Sequence, residues 1–256
     1  MKIPPPISQF AEALTFLTRY PLPRRLFSRQ PAGAKAAWAF PIAGVLAAAL
    51  PALFLAALLA VAAGPLLAAL LALTVYALVT GGLHQDGLAD SADGLLGGRD
   101  RGHALEIMKD SRIGSFGVLA LMFLTGIKAA SLADISGSGD APAMFVAAAA
   151  VGRAAMVFHW HALPAARTDG VARRLGQPAV TETALAILSA IVVMLLAGGA
   201  IDPIRAMGIA ALATALTTGL FSVFVRRRIA GHTGDTLGAT AEIGETTFLT
   251  ALVIFL

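Results

Sequence analysis

Three aspartates, Asp86, Asp90 and Asp93, fall at i, i+4 and i+7 in the string HQDGLADSADG (84–94). On a helix their carboxylates share one face within about 60° of one another, because the helix turns every 3.6 residues. Three carboxylates on one stripe repel each other unless a cation sits among them. Hard oxygen donors suit Mg²⁺ or Mn²⁺, which keeps coordination positions open for substrate phosphates. Gly87 and Gly94, each directly after an aspartate, allow a ligand or second helix to come close. A solvated helix end with scattered acids is the plainer alternative, and the glycine spacing weighs against it. The stretch 81–117 holds six of the chain's fifteen acids: Asp86, Asp90, Asp93, Asp100, Glu106 and Asp110.

The second half of that stretch complements the first. Lys109, Asp110, Ser111 and Arg112 occur together, followed by Gly114, Ser115 and Gly117. Lys and Arg supply charge for phosphate, and arginine binds it in bidentate fashion. A Gly/Ser-rich helix entry offers backbone N–H groups to an anion. A further polar island, GHTGDTLGATAEIGE (231–245), brings His232, Thr233, Asp235, Glu242 and Glu245. Its glycines predict a poor continuous helix. It reads as a loop able to supply further metal ligands or hydrogen bonds to sugar hydroxyls, or as a plain connection.

These groups sit in a chain that is 57% apolar and 13% charged, with mean hydropathy +0.79. A soluble domain carries about 25% charged residues. Apolar runs near 36–63, 66–83, 116–134, 142–163, 183–201 and 204–225 approach or exceed the roughly 18–20 residues needed to cross a bilayer. A seventh, 246–256, is too short to span without the preceding turn. The expected architecture is all-α: a polytopic helical membrane protein of six or seven spans, forming one integral membrane domain over 1–256. Within it, 1–35 is an N-terminal interfacial segment, and 84–115 and 226–245 are active-site loops. Residues 7–20 predict a short amphipathic helix, lying in the interface or packed on the bundle. Prolines and an acid interrupt the apolar run a signal peptide would need. The absence of cysteine excludes disulfides and thiolate chemistry.

Basic residues orient the chain. Six precede the first span (Lys2, Arg19, Arg24, Arg25, Arg29, Lys35), and four lie in the 84–115 segment (Arg99, Arg101, Lys109, Arg112). Three lie at 164–182 (Arg167, Arg173, Arg174) and three at 226–228, while the alternate connections hold none. The positive-inside rule therefore places the N-terminus and the polar segments in the cytoplasm. The high pI follows from this topology, and nucleic-acid binding is not implied. Lys128 and Arg153 lie about 16–18 Å deep in their spans at 1.5 Å per residue. Charges at that depth face a polar cavity or a partner. His159 and His161, two apart on a helix, point to different sides and do not share a metal.

A metal-ready aspartate stripe, cationic phosphate binders and a cytoplasm-facing bundle together predict phosphoryl transfer from a nucleotide-activated substrate, with one aspartate as base. Residue chemistry gives this class and no substrate.

The strings GGLHQDGLADSADG, LEIMKDSRIGSFG and GHTGDTLGATAEIGE occur in that order, with FLTRYPLP (16–23) and FPIAGVL (40–46) upstream. Together they resemble the cobalamin synthase family, the adenosylcobinamide-GDP ribazoletransferases, over essentially the full length. Gln85 and Ser91 depart from the expected pattern without touching the acids. The resemblance implies a Mg²⁺-dependent enzyme of the cell inner membrane, acting in the last stage of cobalamin assembly. It would join adenosylcobinamide-GDP to α-ribazole, or its 5′-phosphate, and release GMP. It marks Asp86, Asp90, Asp93 and Asp110 as the catalytic and metal-binding core. Lys109, Arg112 and Arg153 would bind phosphate, and His84, Thr233, Asp235 and Glu242 are the remaining substrate-binding candidates. The lipid bilayer is the expected surroundings; a second copy of the chain or other enzymes of the pathway stay open as partners.

Two rivals fit less well. A CDP-alcohol phosphotransferase has Ala-Arg after its first Asp-Gly pair, whereas Asp90 follows Ala89 here. A transporter with a carboxylate ion site would show acids near the midplane and repeated halves.

Overall fold

The computed structural model describes residues 4–28, 30–167, 174–198 and 203–255. Lys2, Arg29, Arg173 and most of the 198–203 connection lie outside the described residues. Among the described residues ten α-helices follow in chain order: α1 (Pro5–Leu17), α2 (Phe40–Ala60), α3 (Pro65–Thr80), α4 (Leu83–Gly97) and α5 (Arg101–Ile107), then α6 (Ser115–Ile135), α7 (Ala141–Ala162), α8 (Val180–Ala197), α9 (Pro203–Ile229) and α10 (Gly234–Phe255). A 3₁₀ stretch, Gly33–Ala39, leads directly into α2. The protein is an all-helical, polytopic membrane protein; among the described residues six helical segments are long and apolar enough to cross a bilayer, or seven with the bent pair α3–α4 counted as one span.

Two of these form the centre. The apolar stretches of α7 and α10 are 72% buried, against 22–39% for the other spans. Their seam is made of small residues: Gly152 faces the Ala241 carbonyl, and Gly244 faces Gly152 and Ala155. Small residues at a membrane helix crossing let backbones approach, so dispersion contacts replace the hydrophobic drive that lipid removes. The N-terminal segment is an ordered helix packed on α2, with Ala11, Leu14 and Leu17 buried and Ile7 exposed.

Several expectations are corrected. The polar island 231–245 is not a loop, and 246–256 is not a separate short piece. Residues 234–245 and 246–255 belong to α10, one continuous 22-residue helix. Its start is fixed by reciprocal caps: Thr236 N–H donates to Thr233 Oγ1 at 3.2 Å, and Thr233 N–H donates to Thr236 Oγ1 at 3.0 Å. The helix-weakening glycines are offset because they admit neighbouring helices, Gly238 facing the His84 backbone and Gly244 facing α7. Likewise 84–115 is largely the two helices α4 and α5 rather than a loop. The second span does not continue straight into the aspartate stripe. It ends at Thr80, and α4 leaves at 92°. Gly81 (φ 67°) and Gly82 (φ 70°) make the corner in the left-handed region that favours glycine. The Arg19 side chain packs against Gly81, and the Arg19 backbone N–H donates to the Val79 carbonyl at 2.8 Å.

Candidate active site

One end of the bundle gathers the polar segments. The turn 164–166 is tied to 231–232 by Ala166 N–H to the His232 carbonyl and His232 N–H to the Pro164 carbonyl, both 2.8 Å. Arg228 reaches from the end of α9 to the Leu95 carbonyl at 2.8 Å and to the Gly98 carbonyl. Arg101 donates to the Ala166 carbonyl at 2.8 Å, and Arg167 donates to the Leu105 carbonyl at 3.0 Å. The chain thus folds α4, α5, the α7–α8 turn and the start of α10 around one region.

The three aspartates of the α4 stripe have different surroundings. Asp86 is exposed, Asp90 is half-buried and Asp93 is buried. Asp93 accepts hydrogen bonds from the N–H groups of Gly114 (2.7 Å) and Gly117 (2.9 Å), so its carboxylate caps the start of α6. A carboxylate there meets unsatisfied backbone donors and the positive end of the helix dipole. Asp86 and Asp90 are joined by Asp235 of α10, because Gly87 lets the α10 backbone come close. Asp90 feels the charge of Asp235, Asp86 and Asp93, with Arg167 opposing them. Asp235 also accepts from Thr233 Oγ1 at 3.1 Å. Among the described residues, no three His, Asp or Glu side chains close on a common point.

Asp110 stands apart from this group in its hydrogen bonding. It is bound by the Arg112 guanidinium, Nη2 to Oδ2 at 2.6 Å, on an exposed turn. That hydrogen-bonded pair holds the Asp110 carboxyl down at about 2, so it is ionised throughout the physiological range. Asp100 caps α5 by accepting from the His103 N–H at 3.0 Å, which also lowers its pKa.

A cationic cleft adjoins the acids. Arg101, Glu106, Lys109 and Arg167 line a hollow of about 320 Å³. Arg167 belongs to both regions, its Nη2 lying 4.0 Å from Asp235 Oδ2. Its Nε is buried and without a hydrogen-bond partner.

The remaining predicted residues are elsewhere. Arg153, His84 and Glu242 are buried within the bundle, at 0%, 1% and 3% exposure. Lys128 Nζ donates to Glu242 (2.6 Å) and Glu245 (2.7 Å), and Arg153 is ion-paired with Glu245. Tyr76 OH donates to Glu245 at 2.9 Å, and Gln85 Nε2 donates to Glu242 at 2.9 Å. His84 Nδ1 lies 3.3 Å from Arg153 Nη2. The deep charges therefore have partners, and Arg153 is held inside the helix core. The histidines separate as expected: His159 contacts Ser222 and Thr236, whereas His161 contacts the Pro178 carbonyl.

Sequence reasoning did not pick out Arg101, Arg167, Gln85 or Tyr76 as site residues. Arg101 and Arg167 were indistinguishable from the topology-setting basic residues around them. Glu245 is three residues after Glu242, a one-face spacing that would have paired the two had the segment been read as a helix.

Fold and charge together define a multi-pass membrane protein with an acidic patch and a cationic cleft side by side at one end. The family model described as Cobalamin-5-phosphate synthase matches residues 9–253, and the chain belongs to that family. It is 44% identical over 256 residues to the adenosylcobinamide-GDP ribazoletransferase of Rhizobium johnstonii, covering 98% of each chain. The protein of that name from Rhizobium etli strain CIAT 652 is 46% identical, also over 98% of each chain. The one from Brucella anthropi is 38% identical over the same shares. No solved structure matches.

Proposed function

We propose that the protein joins adenosylcobinamide-GDP to α-ribazole, or its 5′-phosphate, with release of GMP. The reaction closes cobalamin assembly at the cytoplasmic face of the inner membrane. The observation that carries the site assignment is the meeting of Asp86 and Asp90 with Asp235, beside a cleft lined by Arg101, Lys109 and Arg167. The family and its named relatives supply the substrates.

Among the described residues no three acids close on one point, but Mg²⁺ takes one or two carboxylates and completes its shell from water and substrate phosphate, which Asp86 and Asp90 suit. Carboxylates from two helices are drawn together through Gly87 although their charges repel, and hard oxygen ligands are what Mg²⁺ takes. Asp86 and Asp90 would hold it, with the charge of Asp235 beside them. Bound there, Mg²⁺ supplies charge stabilisation to a diphosphate. Asp93 and Asp110, engaged by α6 and by Arg112, support the site from outside this ligand set.

The chain's own groups do the rest. Arg101, Lys109 and Arg167, which line the cleft, hold the diphosphate through their positive charge. Asp86 or Asp90 takes the proton of the attacking ribose hydroxyl. The hydroxyl oxygen bonds to the phosphorus on the corrinoid side, and the P–O bond to GMP breaks. GMP leaves as an anion into the cationic cleft.

Purified protein in nanodiscs, given adenosylcobinamide-GDP and α-ribazole, should release GMP with Mg²⁺ and none with EDTA. A cobalamin product should form in equal amount. CMP release from CDP-activated alcohols with no GMP would instead assign the phospholipid-type reaction.

A further inference from the structure

The intramembrane ion cluster has no part in the chemistry just described, yet it holds α4. Lys128 of α6, Glu242 and Glu245 of α10, and Arg153 of α7 carry two positive and two negative charges, each 0–3% exposed. Removing any one leaves a stranded charge in a dry interior. Its contacts leave the cluster in one notable direction. Gln85 Nε2 donates to Glu242 Oε1 at 2.9 Å, and His84 meets Arg153. These two residues directly precede Asp86. They follow the Gly81–Gly82 corner, where two successive left-handed glycines supply little stiffness of their own. Arg19 packs against Gly81 at that corner.

We propose that Lys128, Glu242 and Gln85 are positioning residues: a latch inside the membrane that sets the angle of α4, and so the placement of Asp86 and Asp90 against Asp235. Lys128 holds Glu242 in place, Glu242 accepts from Gln85, and Gln85 fixes the first turn of a helix whose next residue is an active-site acid. The latch also assigns Glu242 a role away from substrate, which accords with its burial. The functional part of this inference rests on the acid cluster being the catalytic site.

The test therefore reads helix placement and catalysis separately. The chain lacks cysteine, so spin labels at Leu96→Cys on α4 and Leu220→Cys on α9, both exposed, report the angle by a distance distribution. Gln85→Leu removes the link without changing the cluster's charge. It should broaden or shift that distribution and lower kcat by about tenfold or more, since ångström misplacement of reacting groups is that costly. KM for adenosylcobinamide-GDP should stay within about twofold, because the cationic cleft is untouched. Lys128→Met should broaden the distribution too, and adding Glu242→Gln should narrow it again by restoring neutrality. An unchanged distribution in Gln85→Leu overturns the latch. A displaced α4 with unchanged kcat upholds the latch and overturns the acid cluster as the catalytic site.

Discussion

Gly87 and Asp235 meet backbone to backbone: a Cβ on Gly87 would stand 2.7 Å from the Asp235 carbonyl oxygen and 3.1 Å from its Cα. Neither atom belongs to a side chain that can swing away. Gly87→Ala should therefore push α4 off α10, lower stability by about 1–3 kcal/mol and reduce turnover more than substrate binding. Steady-state kinetics beside a thermal-unfolding series in detergent would check both parts. Wild-type kcat in this variant would mean the contact does not place the acids.

Asp86 and Asp93 sit on one helical stripe and should behave oppositely. Asp86 is exposed among like charges, so Asp86→Asn should abolish GMP release with stability within about 0.5 kcal/mol of wild type. Asp93 satisfies two α6 N–H groups, and Asp93→Ala should lower stability by about 1–2 kcal/mol. Unfolding midpoints for both variants, with activity measured on the folded fraction, separate the two roles.

The Lys128 ammonium lies between two buried carboxylates. Breaking such a pair by removing one partner typically destabilises by about 3–5 kcal/mol. Lys128→Met should fall in that range, and Lys128→Met with Glu242→Gln should recover most of it. Equal stability of single and double variants would show that charge balance is not what the cluster provides.

Arg167 should act on the donor substrate. Its guanidinium lines the cleft and lies 4.0 Å from Asp235. Arg167→Met should raise KM for adenosylcobinamide-GDP by about tenfold, the scale of one charge-assisted hydrogen bond, with little change in KM for α-ribazole. Initial rates across both substrates decide it; equal effects on the two would remove Arg167 from the diphosphate.

Orientation has its own test. Arg99 and Asp100 are exposed in the α4–α5 turn. Arg99→Cys should react with an impermeant thiol reagent in inverted vesicles and stay unlabelled in right-side-out ones. The reverse pattern would turn the whole bundle over.

The sequence by itself determined the class. Long apolar runs admit only helices in lipid, since every backbone group must be satisfied within its own segment. The basic residues fell in alternate connections, and the spacing of the aspartates set them on one helix face. Ordered motifs across the chain carried the family. Tertiary structure decided the rest. Helical periodicity placed Asp86, Asp90 and Asp93 on one face, but only α6 determines that Asp93 serves as a cap. Glycine content argued against a helix at 231–245, because propensity is local whereas the closeness of α4 and α7 that those glycines permit is not. Glu242 and Arg153 looked like ligand-facing charges until the partners 114 and 92 residues away along the chain closed on them. Sequence spacing shows which residues share a helix face. What that face meets is decided by packing between segments distant in the chain: here Asp93 meets the start of α6, while Asp86 on the same stripe stays exposed.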